Sequence, residues 1–128
     1  MHTDPHCLFC KIVAGQIPSR KVHEDEHVLV FHDIHPWAPV HLLIVPKQHI
    51  TSMVDVTPEH QALLGHMLAI SPRLMLDLGV TNGYRHLINT GPDGHQEVMH
   101  LHLHVSVAHG PGCGADRHWQ CRSSSGLA

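Results

Sequence analysis

A chain of 128 residues with 42% hydrophobic and 15% charged content has the make-up of one globular domain, long enough to bury a core without disulfides. Its formal charge of −3 with neutral histidines provides no basic surface, which argues against nucleic acid as a partner. No N-terminal apolar run is long enough for a signal peptide or a membrane span, so a cytoplasmic, reducing location is expected. The four cysteines then read as metal ligands or free thiols.

Residues 1–6 read as a loose polar lead-in. Cys7 to Val13 reads as a short helix, closed by Gly15 and barred from continuing by Pro18. A hairpin follows from Val22 to His32, with Glu24-Asp25-Glu26 as its solvated turn. Pro36 and Pro39 make 33–39 a loop, and the apolar run His41 to Val45, stopped by Pro46, is a buried central strand. Thr57 is a suitable N-cap with Pro58 at the first helical position. Leu63, Leu64, Met67, Leu68 and Ile70 supply the apolar stripe of this longer helix, which Pro72 should kink or split before Gly79. Tyr84 to Thr90 is a further strand, and Gly91-Pro92-Asp93-Gly94 a tight turn. The order predicts an α+β fold with an antiparallel sheet of about five strands, one short N-terminal helix and one longer central helix. One domain over 1–108 is expected, with 109–128 as a loop-like or disordered tail.

The chemistry concentrates in His100-Leu101-His102-Leu103-His104-Val105, where imidazoles alternate with apolar residues as in a half-buried strand. Side chains two apart share a face at roughly 7 Å spacing. With 17 histidines in the chain, a merely histidine-rich exposed face is the competing reading. The apolar alternation and the turn before it favour a site. Such a row can ligate a metal, attack phosphorus or move protons near neutral pH. A neutral imidazole attacking phosphorus splits one hard displacement into two, and a neighbouring one can donate to anionic oxygens or the leaving group. Cys7-x-x-Cys10 has the spacing of a zinc half-site, or of a redox pair, although no βαβ pattern surrounds it. Histidines at a loop end and on the strand are available as the other two ligands. No GxxxxGK[ST] loop is present.

These residues resemble the histidine triad (HIT) family. The alternating block 100–105 matches its signature, 7–19 resembles the opening of its Hint branch, and 31–49 resembles that branch's second block. The resemblance implies a HIT-like fold and a homodimeric purine-nucleotide-binding hydrolase that cleaves P–N bonds, typified by adenosine 5′-phosphoramidates. Position by position, His102 resembles the nucleophile that becomes nucleotidylated. His104 would contact the phosphate and assist proton transfer, and His41 would orient the triad. Asp33 would hold the ribose hydroxyls. Phe9, Ile12, Ile34 and Leu43 would wall the base pocket, while Asn89, His95, Gln96 and Glu97 would lie at the phosphate. Zinc-containing members imply a structural Zn2+ on Cys7, Cys10, His49 and His100. The sequence departs from the family pattern at His95, where glycine or alanine is usual. It departs again at Glu97, where some members carry serine, and after Val105, where Ser106 to Gly110 replaces a Gly-Gly-Arg or Pro-Arg segment. The alternatives are a Fhit-like dinucleoside polyphosphate hydrolase and a non-catalytic AMP-binding protein. In the tail, His109, Cys113, His118 and Cys121 could ligate a second metal.

Overall fold

A computed structural model describes residues 1–107. The expected boundary at 108 and the tail residues named above lie outside the described residues. The elements are α1 (Leu8–Val13), β1 (Lys21–Glu24), β2 (Val28–His32), β3 (His41–Pro46), α2 (Gln61–Ala69), α3 (Ser71–Asp77), β4 (Arg85–Leu87) and β5 (Leu103–Ser106). The five strands form one sheet in the order β1-β2-β3-β5-β4, with every pair antiparallel. The fold is therefore α+β, as the element order predicts.

Alternation along the strands divides the sheet into two faces. Val28, Val30, Leu42, Ile44, Leu103 and Val105 pack with Met67, Leu74 and Met75 of α2 and α3. Leu29, Phe31, Leu43 and Val45 pack with Phe9 and Ile12 of α1. The register Phe31↔Leu43↔His104↔Leu87 runs across four strands on this second face. A histidine thus stands in a row of apolar residues, beside α1.

Thr57 caps as expected, accepting from the Glu59 amide, with Pro58 opening a 3-10 turn that leads into α2. Pro72 divides the segment into α2 and α3. Leu68 is 49% exposed and leaves the expected stripe. At 100° per residue it lies a quarter turn from Met67, the stripe's buried centre. The strand expected over 84–90 contracts to three edge residues, because Asn89 donates from Nδ2 to the Gly94 carbonyl (2.6 Å) and draws the chain into a turn. The ladder of β5 begins only at Leu103. His100 to His102 precede it, anchored by Leu101 N–H to the Ile50 carbonyl (2.6 Å).

Two expectations about the surface are corrected. The lead-in is not loose: the His2 carbonyl accepts from the His49 amide (2.7 Å), and the Asp4 amide donates to Cys10 Sγ (3.4 Å). The turn Glu24-Asp25-Glu26 is not merely solvated, because Asp25 ties the hairpin to α2. Its Oδ2 accepts from Nε2–H of His23 (2.8 Å) and of His66 (2.7 Å), and its Oδ1 from the amides of His27 (2.8 Å) and Val28 (3.0 Å). Burial opposes ionisation here, but these donors outweigh it and hold the carboxyl well below the usual range. Asp25→Ala is expected to lower stability by about 2–3 kcal/mol, since four donors lose their acceptor. A urea titration checks this, and an unshifted midpoint would remove the strut from the account.

Candidate active site and metal cluster

A cavity of about 550 Å³ opens on the α1 face of the sheet. Its apolar half is made by Leu8, Phe9, Ile12, Ile17, Phe31 and Leu43. Its polar half is made by Asp33, Asn89, His95, Glu97, His102 and His104, with Ile34, His35, Trp37 and Val98 completing the wall. Of the residues expected at a nucleotide, all but Gln96 line this cavity. Gln96 is buried with its amide already committed: Oε1 accepts from the Gly91 amide (2.9 Å), and Nε2 donates to the carbonyls of Thr51 (2.8 Å) and Val98 (2.9 Å). It shapes the 91–98 turn from behind.

Hydrogen bonding fixes the tautomers of the histidines. His41 Nδ1 accepts from the Trp37 amide (3.1 Å), so its proton is on Nε2. That Nε2–H donates to His104 Nδ1 (2.8 Å), which leaves the His104 proton on Nε2. His102 Nδ1–H donates to the His100 carbonyl (2.7 Å), which leaves Nε2 as a free lone pair. The polar end of the cavity therefore offers one nucleophilic nitrogen and one N–H donor, on rings 4.9 Å apart. Asp33 Oδ2 lies 3.5 Å from His41 Nε2, and its Oδ1 accepts from the His35 amide (2.8 Å).

Trp37 is the residue that sequence reasoning missed at this site. Its residue type alone predicts no more than a cover over apolar surface. Its ring stacks on His104 at 4.5 Å and 18° and tilts over His41 at 4.7 Å. The available signal was its place between two prolines, four residues before His41.

Burial depresses the affinity of all three histidines for protons. His104 falls to about 3, through burial and then the charges of His102 and His41. His41 and His102 are also lowered, burial again being the first cause, with Asp33 opposing it at both and Glu97 at His102. The three imidazoles are thus neutral at pH 7, as attack by one of them requires. Unfolded histidines protonate near pH 6.5 and these folded ones only below it. The unfolded state accordingly binds more protons between about pH 6.5 and the folded values. Stability is complete above about pH 6.5 and is lost as pH falls, by about 1.4 kcal/mol per pH unit for each histidine involved. Thermal unfolding followed from pH 7.5 to 4.5 checks this. A His104→Gln variant with an equal acid slope would contradict the assignment.

A second constellation lies beside the first. Sγ of Cys7 and Cys10 and Nδ1 of His49 and His100 all lie within 4.8 Å of one another. His100 Nδ1 is 3.2 Å from Cys7 Sγ, 3.6 Å from Cys10 Sγ and 3.2 Å from His49 Nδ1, and the last lies 3.4 Å from Cys10 Sγ. His100 Nε2–H donates to the Pro46 carbonyl (2.8 Å), so its Nδ1 lone pair points into the cluster. Zinc bonds of about 2.0–2.3 Å in a tetrahedron give ligand separations of roughly 3.3–3.8 Å, and the donor set fits. Amides of Cys10 and Asp4 donate to the two sulfurs (3.4 Å each), a second layer typical of thiolate ligands. Burial first of all raises the Cys10 thiol, so an ion there would displace a proton. Asp33, His41 and His104 are also close enough to share an ion. The Trp37 amide holds His41 in the wrong tautomer for that, with a proton on the nitrogen that would ligate.

An antiparallel α+β sheet with alternating histidines that lead into its last strand, completed by a histidine from the central strand, defines a histidine-triad protein. The family model described as "Scavenger mRNA decapping enzyme C-term binding" matches residues 6–118. Protein HitA of Neisseria gonorrhoeae is 49% identical over 100 residues, covering 78% of this chain and 94% of that protein. A HIT family hydrolase from Legionella pneumophila superposes with a TM-score of 0.79 at 42% identity, over 89% of this chain and 97% of that one. A histidine triad protein from Clostridium difficile gives 0.78 at 41% identity, over 81% and 91%. The chain belongs to the histidine triad (HIT) family and is hydrolase-like. Among the described residues no helix is long and apolar enough to cross a membrane.

Proposed function

We propose that this protein hydrolyses the P–N bond of purine nucleoside 5′-phosphoramidates through a nucleotidyl-histidine intermediate. The observation that carries the reading is the His102 tautomer, its Nδ1–H held by the His100 carbonyl and its Nε2 left free at the cavity wall. In this mechanism Nε2 attacks the α-phosphorus, the P–N bond breaks, and the leaving nitrogen takes a proton from water at the open rim. Water then attacks phosphorus, releases AMP and restores neutral His102. His104 Nε2–H donates to the phosphoryl oxygens throughout, kept in line by His41. The base lies against Phe9, Ile12, Ile34 and Leu43, and Asp33 accepts from the ribose hydroxyls. Asn89 acts on the phosphate indirectly, since its amide holds Gly94 in the 91–96 turn.

In the same reading Cys7, Cys10, His49 and His100 hold a structural zinc. It would cross-link α1 to the approach of β5 and fix the His100 carbonyl that sets the His102 tautomer. The active form is a homodimer in the cytoplasm, built from a domain over 1–108, with AMP or GMP derivatives as ligands. The test is release of AMP from an adenosine 5′-phosphoramidate beside cleavage of diadenosine triphosphate. Faster turnover of the phosphoramidate is expected. Preference for the polyphosphate would move the protein to the Fhit-like alternative, and tight AMP binding without turnover to a regulatory role.

A further inference from the structure

His95 is the one non-glycine among the described residues with a left-handed backbone, at φ 60°. The turn imposes this conformation. Gly94 cannot be replaced, because a Cβ there would stand 2.3 Å from the Thr90 carbonyl oxygen. The amides of Gly94, His95 and Gln96 donate to the carbonyls of Gly91 (3.2 Å), Pro92 (3.1 Å) and Gly91 again (3.0 Å). Glycine adopts φ near 60° freely, whereas histidine does so only under strain. The imidazole that this strain supports is exposed and stands on the cavity wall with Glu97 and His102.

Asn89, His95, Glu97 and Val98 of the segment that carries this turn share the cavity lining with His102, His104 and the apolar residues of α1 and the sheet. A ligand whose base lies in the apolar half and whose phosphorus meets His102 extends its leaving group toward His95 and Glu97. Glu97 alone would repel an anion there. We infer that His95 is a specificity residue that lets this part of the cavity accept a leaving group carrying its own negative charge, a phosphate or a carboxylate. The imidazole donates a hydrogen bond to that group, which the Glu97 carboxylate, an acceptor only, does not supply. This inference rests on the nucleotide-binding reading of the cavity.

The experiment measures binding by calorimetry to His102→Ala protein, where nothing turns over, with and without His95→Gly. Glycine suits the backbone at this position, so the variant folds. AMP is compared with ADP, and an adenosine phosphoramidate of glycine with that of glycinamide. His95→Gly is expected to reduce the ADP-to-AMP affinity ratio, or the glycine-to-glycinamide ratio, by about five-fold, the scale of one net hydrogen bond. Glu97→Gln should raise the same ratio. The pair of ligands that responds identifies the source of the charge, phosphate or carboxylate. Both ratios unchanged while AMP binds would overturn the role of His95 and leave the nucleotide site standing. No AMP binding in either the wild type or the His102→Ala protein would remove the nucleotide reading, and this inference with it.

Discussion

His102→Ala is expected to lower kcat/KM for an adenosine 5′-phosphoramidate by about 10⁴-fold or more, the scale on which enzymes lose turnover when the attacking group is deleted. No neighbour can take over. His104 presents an N–H to the cavity because its Nδ1 accepts from His41 (2.8 Å), and His41 itself is directed at Trp37 and His104. His104→Ala keeps the nucleophile but loses the phosphoryl donor, for which a loss of about 10²–10³-fold is expected. AMP binding should survive both changes, because the apolar half of the cavity is untouched. Steady-state kinetics with calorimetry checks the pair. Retention of most activity in His102→Ala would show that another group attacks phosphorus.

Cys7→Ser is expected to strip the protein of one zinc per chain and to lower Tm by more than about 10 °C, because binding energy at a structural site is folding energy. Both sulfurs are buried with Phe9 and Ile12 in the smaller core, so loss of the ion would leave only weak sulfur–nitrogen contacts to hold α1 to His49 and His100. The effect should extend to turnover, since the His100 backbone also carries the carbonyl that orients His102. Metal analysis and thermal unfolding of wild type beside the variant decide it. Wild-type protein purified without chelator that contains no zinc would remove the structural-zinc proposal.

The hairpin, the central strand and the histidine row were legible because they depend on local patterns. Alternation along 100–105 placed Leu103 and Val105 in one core, and the uninterrupted run 41–46 is the central strand, buried at every position. What escaped depends on contacts distant in sequence. Nothing local distinguishes His23 and His66 from the other surface histidines; their role comes from Asp25, 41 residues before His66. Gln96 reads as a ligand contact in any motif-based argument, yet its amide is taken up by the Thr51 carbonyl, 45 residues away. Trp37 reads as generic apolar cover until the sheet brings His104 beneath its ring. The lead-in reads as loose because its partners, Cys10 and His49, meet only when α1 folds onto the sheet.

The covalent step is the centre of the account, and intact-mass analysis of protein quenched under alkaline denaturing conditions during turnover measures it directly. Wild-type protein should carry one nucleotidyl group, located on His102 by peptide mapping, and His104→Ala should accumulate more or less of it without moving it. Turnover that proceeds with no adduct at any quench time, or an adduct on a different residue, would contradict the mechanism.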